Sequence, residues 1–251
     1  MKGMNKLYKR NKYKIKENIN IAKNVYKMIL EGDTSYIKRP GQFINIELDG
    51  FYLRRPISVC DYDKKTITII YKVVGNGTEK MSTLKNGTIL DILTGLGNGF
   101  EKLNSGEKPL LIAGGVGTPP MYNLCKELIR LNKKPTVVLG FGSKDEIFFE
   151  EEFKSLGAEV YISTADGSYG TKGFVTDIIK DLNDYTYFYA CGPEGMLKAV
   201  YDITKTKGEL SFERRMGCGF GACMGCTCKT KYGNKRICKN GPVLRKEEII
   251  W

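Results

Sequence analysis

The chain has 251 residues, of which 41% are hydrophobic, and a formal net charge of +12 from 40 Lys and Arg against 28 Asp and Glu. This length suits two modest hydrophobic cores with a small appended module, and no apolar run is long enough for a membrane span. Histidine is absent, which excludes catalytic triads with a histidine base, histidine-ligated zinc and Rieske-type centres.

The positive charge has two interpretations, an anionic partner or lysines that decorate solvated faces. Because the lysines are dispersed and no basic motif is interleaved with aromatic residues, we expect no nucleic-acid partner. The basic N-terminal stretch 1–10 has no apolar core of the kind that secretory signals contain. Of the eight cysteines, five lie between positions 218 and 238, grouped like metal ligands rather than spread as pairs, which suits a reducing compartment. We therefore expect a cytoplasmic protein without a membrane span.

The pattern of residues 1–102 predicts short β-strands separated by turns. The segments 43–48 and 66–74 alternate in part and are rich in β-branched residues, and glycine-containing turns such as Asp49-Gly50 and Asn86-Gly87 separate the runs. This pattern predicts a small antiparallel barrel. Within it lies the motif Arg54-Arg55-Pro56-Ile57-Ser58. It is either a pyrophosphate-binding site, in which Arg55 and Ser58 contact the phosphates, or a basic surface patch.

Residues 103–208 follow a different pattern, in which buried strands alternate with helices. The predicted strands are 110–113, 136–141, 159–163 and 185–190, and the predicted helices include 121–131, with Pro119 near its start, and 174–182. Such alternation predicts a doubly wound sheet of parallel strands.

Two loops of this second region have the composition of nucleotide-binding turns. Gly114-Gly115-Val116-Gly117-Thr118-Pro119-Pro120 follows a strand and opens a helix, although a Rossmann fingerprint would place glycine where Pro120 stands. Cys191-Gly192-Pro193-Glu194-Gly195-Met196 follows the fourth strand, at the sheet edge where ligands collect. Cys191 is either a residue facing a nicotinamide or a small buried hydrophobe.

Residues 209–251 carry the most specific motif. Cys218, Cys223 and Cys226, followed by the distant Cys238, have the C-x4-C-x2-C spacing of plant-type [2Fe-2S] ligation. A zinc knuckle or a disulfide staple is the alternative, but zinc ribbons usually show two short C-x2-C pairs. We expect an iron–sulfur cluster, with Cys228 as a fifth cysteine outside the ligand set.

Together, Arg55-Pro56-Ile57-Ser58, Gly75-Asn76-Gly77-Thr78, the two glycine loops and the cysteine module resemble the ferredoxin–NADP reductase superfamily. Within it, the chain is most similar to the electron-transfer subunits of two-component, NAD-dependent dihydroorotate dehydrogenases. The resemblance spans nearly the whole chain and includes Gly95–Phe100 and Cys238–Val243. Its specific part is a cluster module that follows the nucleotide domain. One departure is Thr94-Gly95-Leu96-Gly97, where a G-P-L-G run is more usual.

The resemblance implies three cofactor sites and no catalytic side chain. FAD would be lined by Arg55, Pro56, Ile57, Ser58, Ile70, Tyr71, Lys72, Gly77 and Thr78. NAD, a diffusible co-substrate, would be received by Gly114, Gly115, Gly117 and Thr118, with Cys191, Gly192, Pro193 and Met196 near its nicotinamide. The [2Fe-2S] cluster would be held by Cys218, Cys223, Cys226 and Cys238.

The resemblance also implies a function and a partner. Electrons from dihydroorotate would leave an FMN-containing TIM-barrel catalytic subunit and pass through the cluster and FAD to NAD+ in pyrimidine (UMP) biosynthesis, within a heterotetramer. The alternatives are a flavin subunit of a sulfhydrogenase or of a ferredoxin-dependent transhydrogenase, and a redox-sensing module with a vestigial nucleotide site. The residues alone leave NAD and NADP open, because Asp145 would repel a 2′-phosphate whereas Ser143 and Lys144 could bind one.

Overall fold

The computed structural model describes residues 8–251. Most of the basic N-terminal stretch, and with it the prediction that no secretory signal is present there, lies outside the described residues. Six antiparallel strands in the order β1-β2-β5-β4-β3-β6 close into a barrel, as predicted. The strands are β1 (Lys9–Ala22), β2 (Val25–Glu31), β3 (Phe43–Ile46), β4 (Arg55–Tyr62), β5 (Thr66–Lys72) and β6 (Ile89–Leu96). A short helix α1 (Asn76–Ser82) follows β5.

The second region is the predicted α/β unit, built on a seven-stranded sheet in the order β10-β9-β8-β7-β11-β12-β15, whose last strand β15 (Val243–Arg245) comes from the C-terminal segment. Its strands are parallel except for the antiparallel pair β12 and β15. The elements are β7 (Pro109–Gly114), α2 (Thr118–Arg130), β8 (Thr136–Phe141), α3 (Glu150–Ser155), β9 (Glu159–Thr164), β10 (Thr171–Lys172), α4 (Val175–Ile179), β11 (Tyr187–Cys191), α5 (Glu194–Ile203) and β12 (Gly208–Ser211). Helix α2 begins at Thr118, since the prolines after it occupy the first turn, where a backbone N–H is not needed.

Helices cover both faces of this sheet. Leu111 and Ala113 of β7 pack in one core with α2 and α3, whereas Leu110 and Ile112 pack in the other core with α4 and α5. Alternate side chains of a strand point to opposite faces, so a nearly continuous apolar run serves both cores. Each fully buried large side chain contributes about 1.5–3 kcal/mol of stabilisation. The two cores hold the strand ends, and therefore the loops after them, in place.

The C-terminal segment does not fold as a separate body. It contains a two-stranded sheet of β13 (Thr227–Thr230) and β14 (Gly233–Arg236), the short helix α6 (Ile237–Asn240) and β15 (Val243–Arg245). Strand β15 completes the seven-stranded sheet by pairing with β12. The cysteine segment is therefore fastened at both ends to the edge of the α/β sheet.

The barrel and the α/β unit share a packed interface. Cys60 and Ile70 of the barrel lie in the same buried cluster as Leu124 and Cys125 of α2. Asp61 adds a polar link, because its carboxylate accepts hydrogen bonds from Asn123 Nδ2 at 2.9 Å and Lys126 Nζ at 2.6 Å. The helix that opens at the glycine loop is thus fixed against the barrel. Among residues 8–251, no helix has both the length and the apolar character that a bilayer crossing requires.

Candidate functional site

A cavity of about 320 Å³ opens on the barrel side of this interface. Every residue predicted to line the flavin borders it except Gly77, which lies beneath the Arg55 side chain. The lining from the barrel is Phe43, Arg55, Pro56, Ile57, Ser58, Ile70, Tyr71, Lys72, Val74 and Thr78. The lining from the rest of the chain is Val116, Cys191, Ser211, Phe212, Glu213, Arg214, Met216 and Pro242.

The structure distinguishes the two neighbouring arginines. Arg54 pairs with Asp91 at 2.7 Å and also contacts Glu47, so its charge is used within the barrel. Among the described residues Arg55 has no carboxylate partner, and its guanidinium lies 4.6 Å from the centre of the Phe51 ring. A Cβ at position 77 would lie 1.9 Å from its Nε, so the Arg55 side chain would have to shift to accommodate any residue larger than glycine. Arg55 donates a hydrogen bond to the Leu53 carbonyl, and a guanidinium at a cavity wall with no carboxylate to neutralise it fits the phosphates of a dinucleotide.

The remaining flavin-side residues have defined contacts. Tyr71 is buried and donates its hydroxyl hydrogen bond to Asn18 Oδ1 at 2.9 Å, and burial raises its pKa. Thr78 Oγ1 accepts the N–H of Val74 at 2.9 Å, which fixes the turn before α1. The cavity is therefore preformed by hydrogen bonds inside the barrel.

A second cavity, of about 730 Å³, lies above the carboxyl ends of the parallel strands. Its lining includes the predicted nucleotide residues Gly114, Gly115, Gly117, Gly192, Pro193 and Met196. Two predicted residues lie elsewhere. Thr118 is fully buried behind the loop at the start of α2, and its hydroxyl has no hydrogen-bond partner among the described residues. Cys191 borders the flavin-side cavity instead.

Glycine 117 is required by packing. A Cβ at this position would lie 2.1 Å from the carbonyl oxygen of Cys191. The two predicted nucleotide loops therefore touch each other through backbone, and a larger residue would separate them. The first loop borders the cavity and leads into the start of α2, and helix N-termini are sites where backbone N–H groups can receive a phosphate.

The two cavities adjoin at Lys72, Val116 and Glu213, which border both. The protein around the Glu213 carboxyl removes hydration and raises its pKa. Burial, with a smaller effect of the Glu213 charge, raises the pKa of the Cys191 thiol to about 12. Cys191 is thus a protonated, buried thiol next to the flavin-side cavity, which favours a packing role over a nucleophilic one.

At the end of β8, one acidic residue faces the nucleotide cavity. It is Glu146, which borders the cavity with Gly142, whereas Ser143, Lys144 and Asp145 do not. Its Oε2 lies 3.1 Å from Nζ of Lys72, which comes from the barrel. The sequence pattern drew attention to Asp145, but the carboxylate at the cavity belongs to its neighbour.

The four predicted cluster ligands lie as two pairs of sulfurs. Cys226 Sγ is 3.2 Å from Cys238 Sγ, and the backbone N–H of Cys218 donates to Cys223 Sγ at 3.4 Å. All eight cysteines of the chain are free thiols, which excludes a disulfide staple in this structure. Two pairs match the needs of two irons with two thiolates each.

The backbone around these sulfurs favours anionic sulfur. Burial would raise the pKa of Cys218, but N–H groups of the residues that follow it outweigh this effect and lower the pKa to about 6. The N–H of Ala222 donates to Cys218 Sγ at 3.2 Å. A Cβ at Gly217 would lie 3.2 Å from Cys223 Sγ, so glycine leaves the sulfur space. These residues fit a [2Fe-2S] cluster, whose charge and potential respond to such donors.

Cys228 belongs to β13 and is half-buried, and its raised pKa has burial as the main cause. That Cys228 is not a ligand stays a prediction. Sequence reasoning missed Glu213, Phe212, Met216 and Glu146, which line the cavities from outside any motif. Only the position of residues 212–216 just before the cysteines offered a signal for three of them.

Two family models match the chain. Residues 213–250 match the iron–sulfur cluster binding domain of dihydroorotate dehydrogenase B, and residues 111–202 match the oxidoreductase NAD-binding domain. They coincide with the thiol pairs and with the strands and loops that surround the nucleotide cavity.

The chain is also similar to curated proteins over nearly its full length. It is 44% identical to the dihydroorotate dehydrogenase B (NAD(+)) electron transfer subunit of Fusobacterium nucleatum, covering 94% of this chain and 96% of the relative. It is 42% identical to the subunit of the same name from Bacillus mycoides, covering 92% and 94%. A solved structure of an NADH-dependent reduced ferredoxin-NADP oxidoreductase superimposes with a TM-score of 0.86 at 30% identity, covering 95% and 90%. The chain belongs to the family of electron transfer subunits of dihydroorotate dehydrogenase B (NAD(+)).

Proposed function

We propose that this chain carries electrons between a dihydroorotate-oxidising partner subunit and NAD+, using a [2Fe-2S] cluster and FAD, in pyrimidine biosynthesis. The observation that carries the proposal is the continuity of the three sites. The flavin-side and nucleotide cavities share Lys72, Val116 and Glu213, and Met216, two residues before the ligand Cys218, borders the flavin-side cavity. Names of the relatives and both family models support the same assignment.

The cofactors carry the chemistry, and the chain positions them. Bound FAD exchanges electrons singly and in pairs, which connects a one-electron cluster with the two-electron NAD+. Arg55 would hold the flavin phosphates, and the loop of Gly114, Gly115 and Gly117 would hold those of NAD. Val116 and Glu213 would keep the reacting rings in adjoining cavities and limit the entry of water. Because burial keeps the Cys191 thiol protonated, we expect no role for it as a nucleophile or a base, and the hydride passes between the two cofactors without a side chain that transfers a proton.

The relatives are named as subunits, so the family works with a catalytic partner. We further propose that the partner is an FMN-containing TIM-barrel dihydroorotate dehydrogenase, that the complex is a heterotetramer and that it is cytoplasmic. The names of the relatives support this, because an electron transfer subunit of a dihydroorotate dehydrogenase implies a separate subunit that oxidises dihydroorotate.

The test is to purify the chain alone and together with the untagged candidate partner. The chain alone should bind FAD, oxidise NADH with an artificial acceptor and show no dihydroorotate oxidation. The complex should oxidise dihydroorotate with NAD+. Substantial dihydroorotate oxidation by the single polypeptide would contradict the proposal, as would zinc in place of iron and acid-labile sulfide.

A ferredoxin-linked transhydrogenase subunit is the second candidate, and one observation favours it. The solved structure that superimposes with a TM-score of 0.86 is an NADH-dependent reduced ferredoxin-NADP oxidoreductase. Its identity of 30% is below the 44% of the Fusobacterium nucleatum relative, so we rank it second. Co-purification with a large flavin subunit, and reduction by ferredoxin rather than by dihydroorotate, would reverse that order.

A further inference from the structure

One buried side chain of the barrel contacts the cysteine segment directly. Asn45 of β3 is 1% exposed, and its Nδ2 donates to the carbonyl oxygen of the cluster ligand Cys218 at 3.4 Å. The next residue, Gly219, has a φ of +77°, and a Cβ there would lie 2.3 Å from Asn45 Nδ2. The loop therefore closes over this amide, and glycine is required for the close approach.

The same residue lies beside the flavin motif. In the antiparallel register of β3 and β4, Asn45 is directly opposite Pro56, and Phe43 is opposite Ser58. Phe43, Pro56 and Ser58 all line the flavin-side cavity. The backbone carbonyl of Asn45 also accepts a hydrogen bond from Arg54 Nη1 at 3.3 Å. Asn45 thus joins the strand pair that forms the flavin-side wall to the loop that carries a cluster ligand.

Asparagine at this position lowers the stability of the folded protein. Its Oδ1 is buried and has no hydrogen-bond partner among the described residues. Leaving a buried polar atom unpaired destabilises the folded state, and an apolar side chain of similar size would avoid this loss. Core stability alone does not explain the amide, whereas its contact with the Cys218 loop does.

We propose that Asn45 is a positioning residue that holds the cluster loop against the flavin-binding strands. It would thereby fix the separation and orientation across which single electrons pass between the two groups. The inference rests on the proposed function, and it adds the residue on which the coupling between the cluster and the flavin depends. Groups around a metal site that orient its ligands typically change activity about 10- to 100-fold when they are altered.

The first test replaces Asn45 by a residue of similar size, Asn45→Leu, in the holoprotein purified anaerobically. We expect cluster-to-flavin electron transfer, followed by stopped-flow absorbance, to slow about tenfold. The EPR spectrum of the reduced cluster should also change, while reduction of FAD by NADH keeps its wild-type rate. The matched control is Asn11→Leu, because Asn11 Nδ2 also makes a 3.4 Å hydrogen bond, but to Asp33 of the barrel.

The second test is electrostatic. Asn45→Asp keeps the size but replaces the amide donor by a carboxyl group, which becomes an anion beside the anionic cluster once the pH is high enough to ionise it at this buried position. We expect the midpoint potential of the cluster to become more negative, while that of the flavin changes less because the Cys218 loop is the direct contact. Because the potential is an equilibrium property, this readout does not depend on turnover of the complex.

A double substitution tests the contact itself. Gly219→Ala should disturb the cluster spectrum, because the new Cβ collides with the Asn45 amide. Adding Asn45→Ala removes the collision, so the double variant should regain part of the wild-type spectrum, and the effects should not be additive.

The proposal is overturned if Asn45→Leu and Asn11→Leu leave the EPR spectrum and the cluster-to-flavin rate equally unchanged. It is also overturned if the two substitutions at 45 and 219 add without any coupling. Failure of the proposed function would look different, since wild-type holoprotein would then fail to transfer electrons from NADH to FAD or would lack the cluster.

Discussion

The nucleotide cavity and the cysteine segment are supported in different ways. The cavity is formed by loops at the carboxyl ends of buried strands, with a hydrophobic core on each face of the sheet. Residues 212–226 contain no helix or strand, and several of their N–H groups point at sulfur. The core supports the first site before any ligand binds, whereas the second gains much of its stability from the metal that it binds.

The largest effect expected from this comparison is loss of the cluster with the nucleotide site intact. Cys223→Ser should abolish the visible absorbance of the cluster and its acid-labile sulfide, yet leave reduction of FAD by NADH in place. Cys228→Ser is the control and should keep the cluster, since Cys228 lies outside the sulfur pairs. Loss of both activities in Cys223→Ser would mean that the cluster also supports the nucleotide domain.

The strand pair β12 and β15, which attaches the cysteine segment to the α/β sheet, should make the stability of the protein depend on pH. Glu209 of β12, beside β15, is 3% exposed, and burial raises the pKa of its carboxyl from 4.5 to about 7. Because the folded state holds the proton more tightly than the unfolded state, the stability that this group contributes is present below pH 4.5. It is lost as the pH rises to about 7.

The variant Glu209→Gln has no carboxyl group at this position, so it should not show this loss of stability as the pH rises. Relative to the wild type, the variant's free energy of unfolding should rise by roughly 3 kcal/mol between pH 4.5 and pH 8. Urea unfolding at several pH values measures it, and Glu159→Gln, at an exposed position on β9, serves as the control. If the free energy of unfolding of the wild type and of Glu209→Gln changed with pH in the same way, the Glu209 carboxyl would not be the titrating group.

A substitution in the nucleotide loop should affect only the nucleotide site. Gly117→Ala places a Cβ 2.1 Å from a backbone oxygen, and overpacking of this kind costs about 1–3 kcal/mol. We expect the KM for NADH to rise about 10- to 100-fold, with cluster content unchanged. Gly195→Ala is a matched control, since Gly195 lines the same cavity and a Cβ there meets no atom within 4 Å. Equal effects of the two substitutions would refute the packing argument.

The smallest effect concerns nucleotide preference. The Glu146 carboxylate should repel a 2′-phosphate, and Glu146→Gln would also free the neighbouring Lys72 to bind one. We expect the ratio of kcat/KM for NADPH to that for NADH to rise about fivefold, equivalent to roughly 1 kcal/mol for a partly exposed charge. Asp145→Asn should leave the ratio unchanged, and the opposite ranking of the two variants would restore Asp145 as the determinant.

Much of this protein was predictable from local sequence. The strand at 136–141 has its predicted limits, and the barrel, the α/β sheet and the cysteine spacing all follow from short-range patterns. Hydrophobic periodicity sets the element type, and the spacing of thiols sets how many can reach one cluster. The glycine loops were recognisable because close backbone approach excludes other residues.

Only the tertiary structure decided which of these residues meet. It showed Arg54 paired within the barrel and Arg55 at the cavity, and it placed Cys191 on the flavin side of the two nucleotide loops. Asn45 lies 173 residues before the cysteine that it contacts, and Glu146 pairs with a lysine 74 residues away. Such pairs depend on strand register and domain packing, which no local pattern encodes, because the energy of a contact depends on position in space and not along the chain.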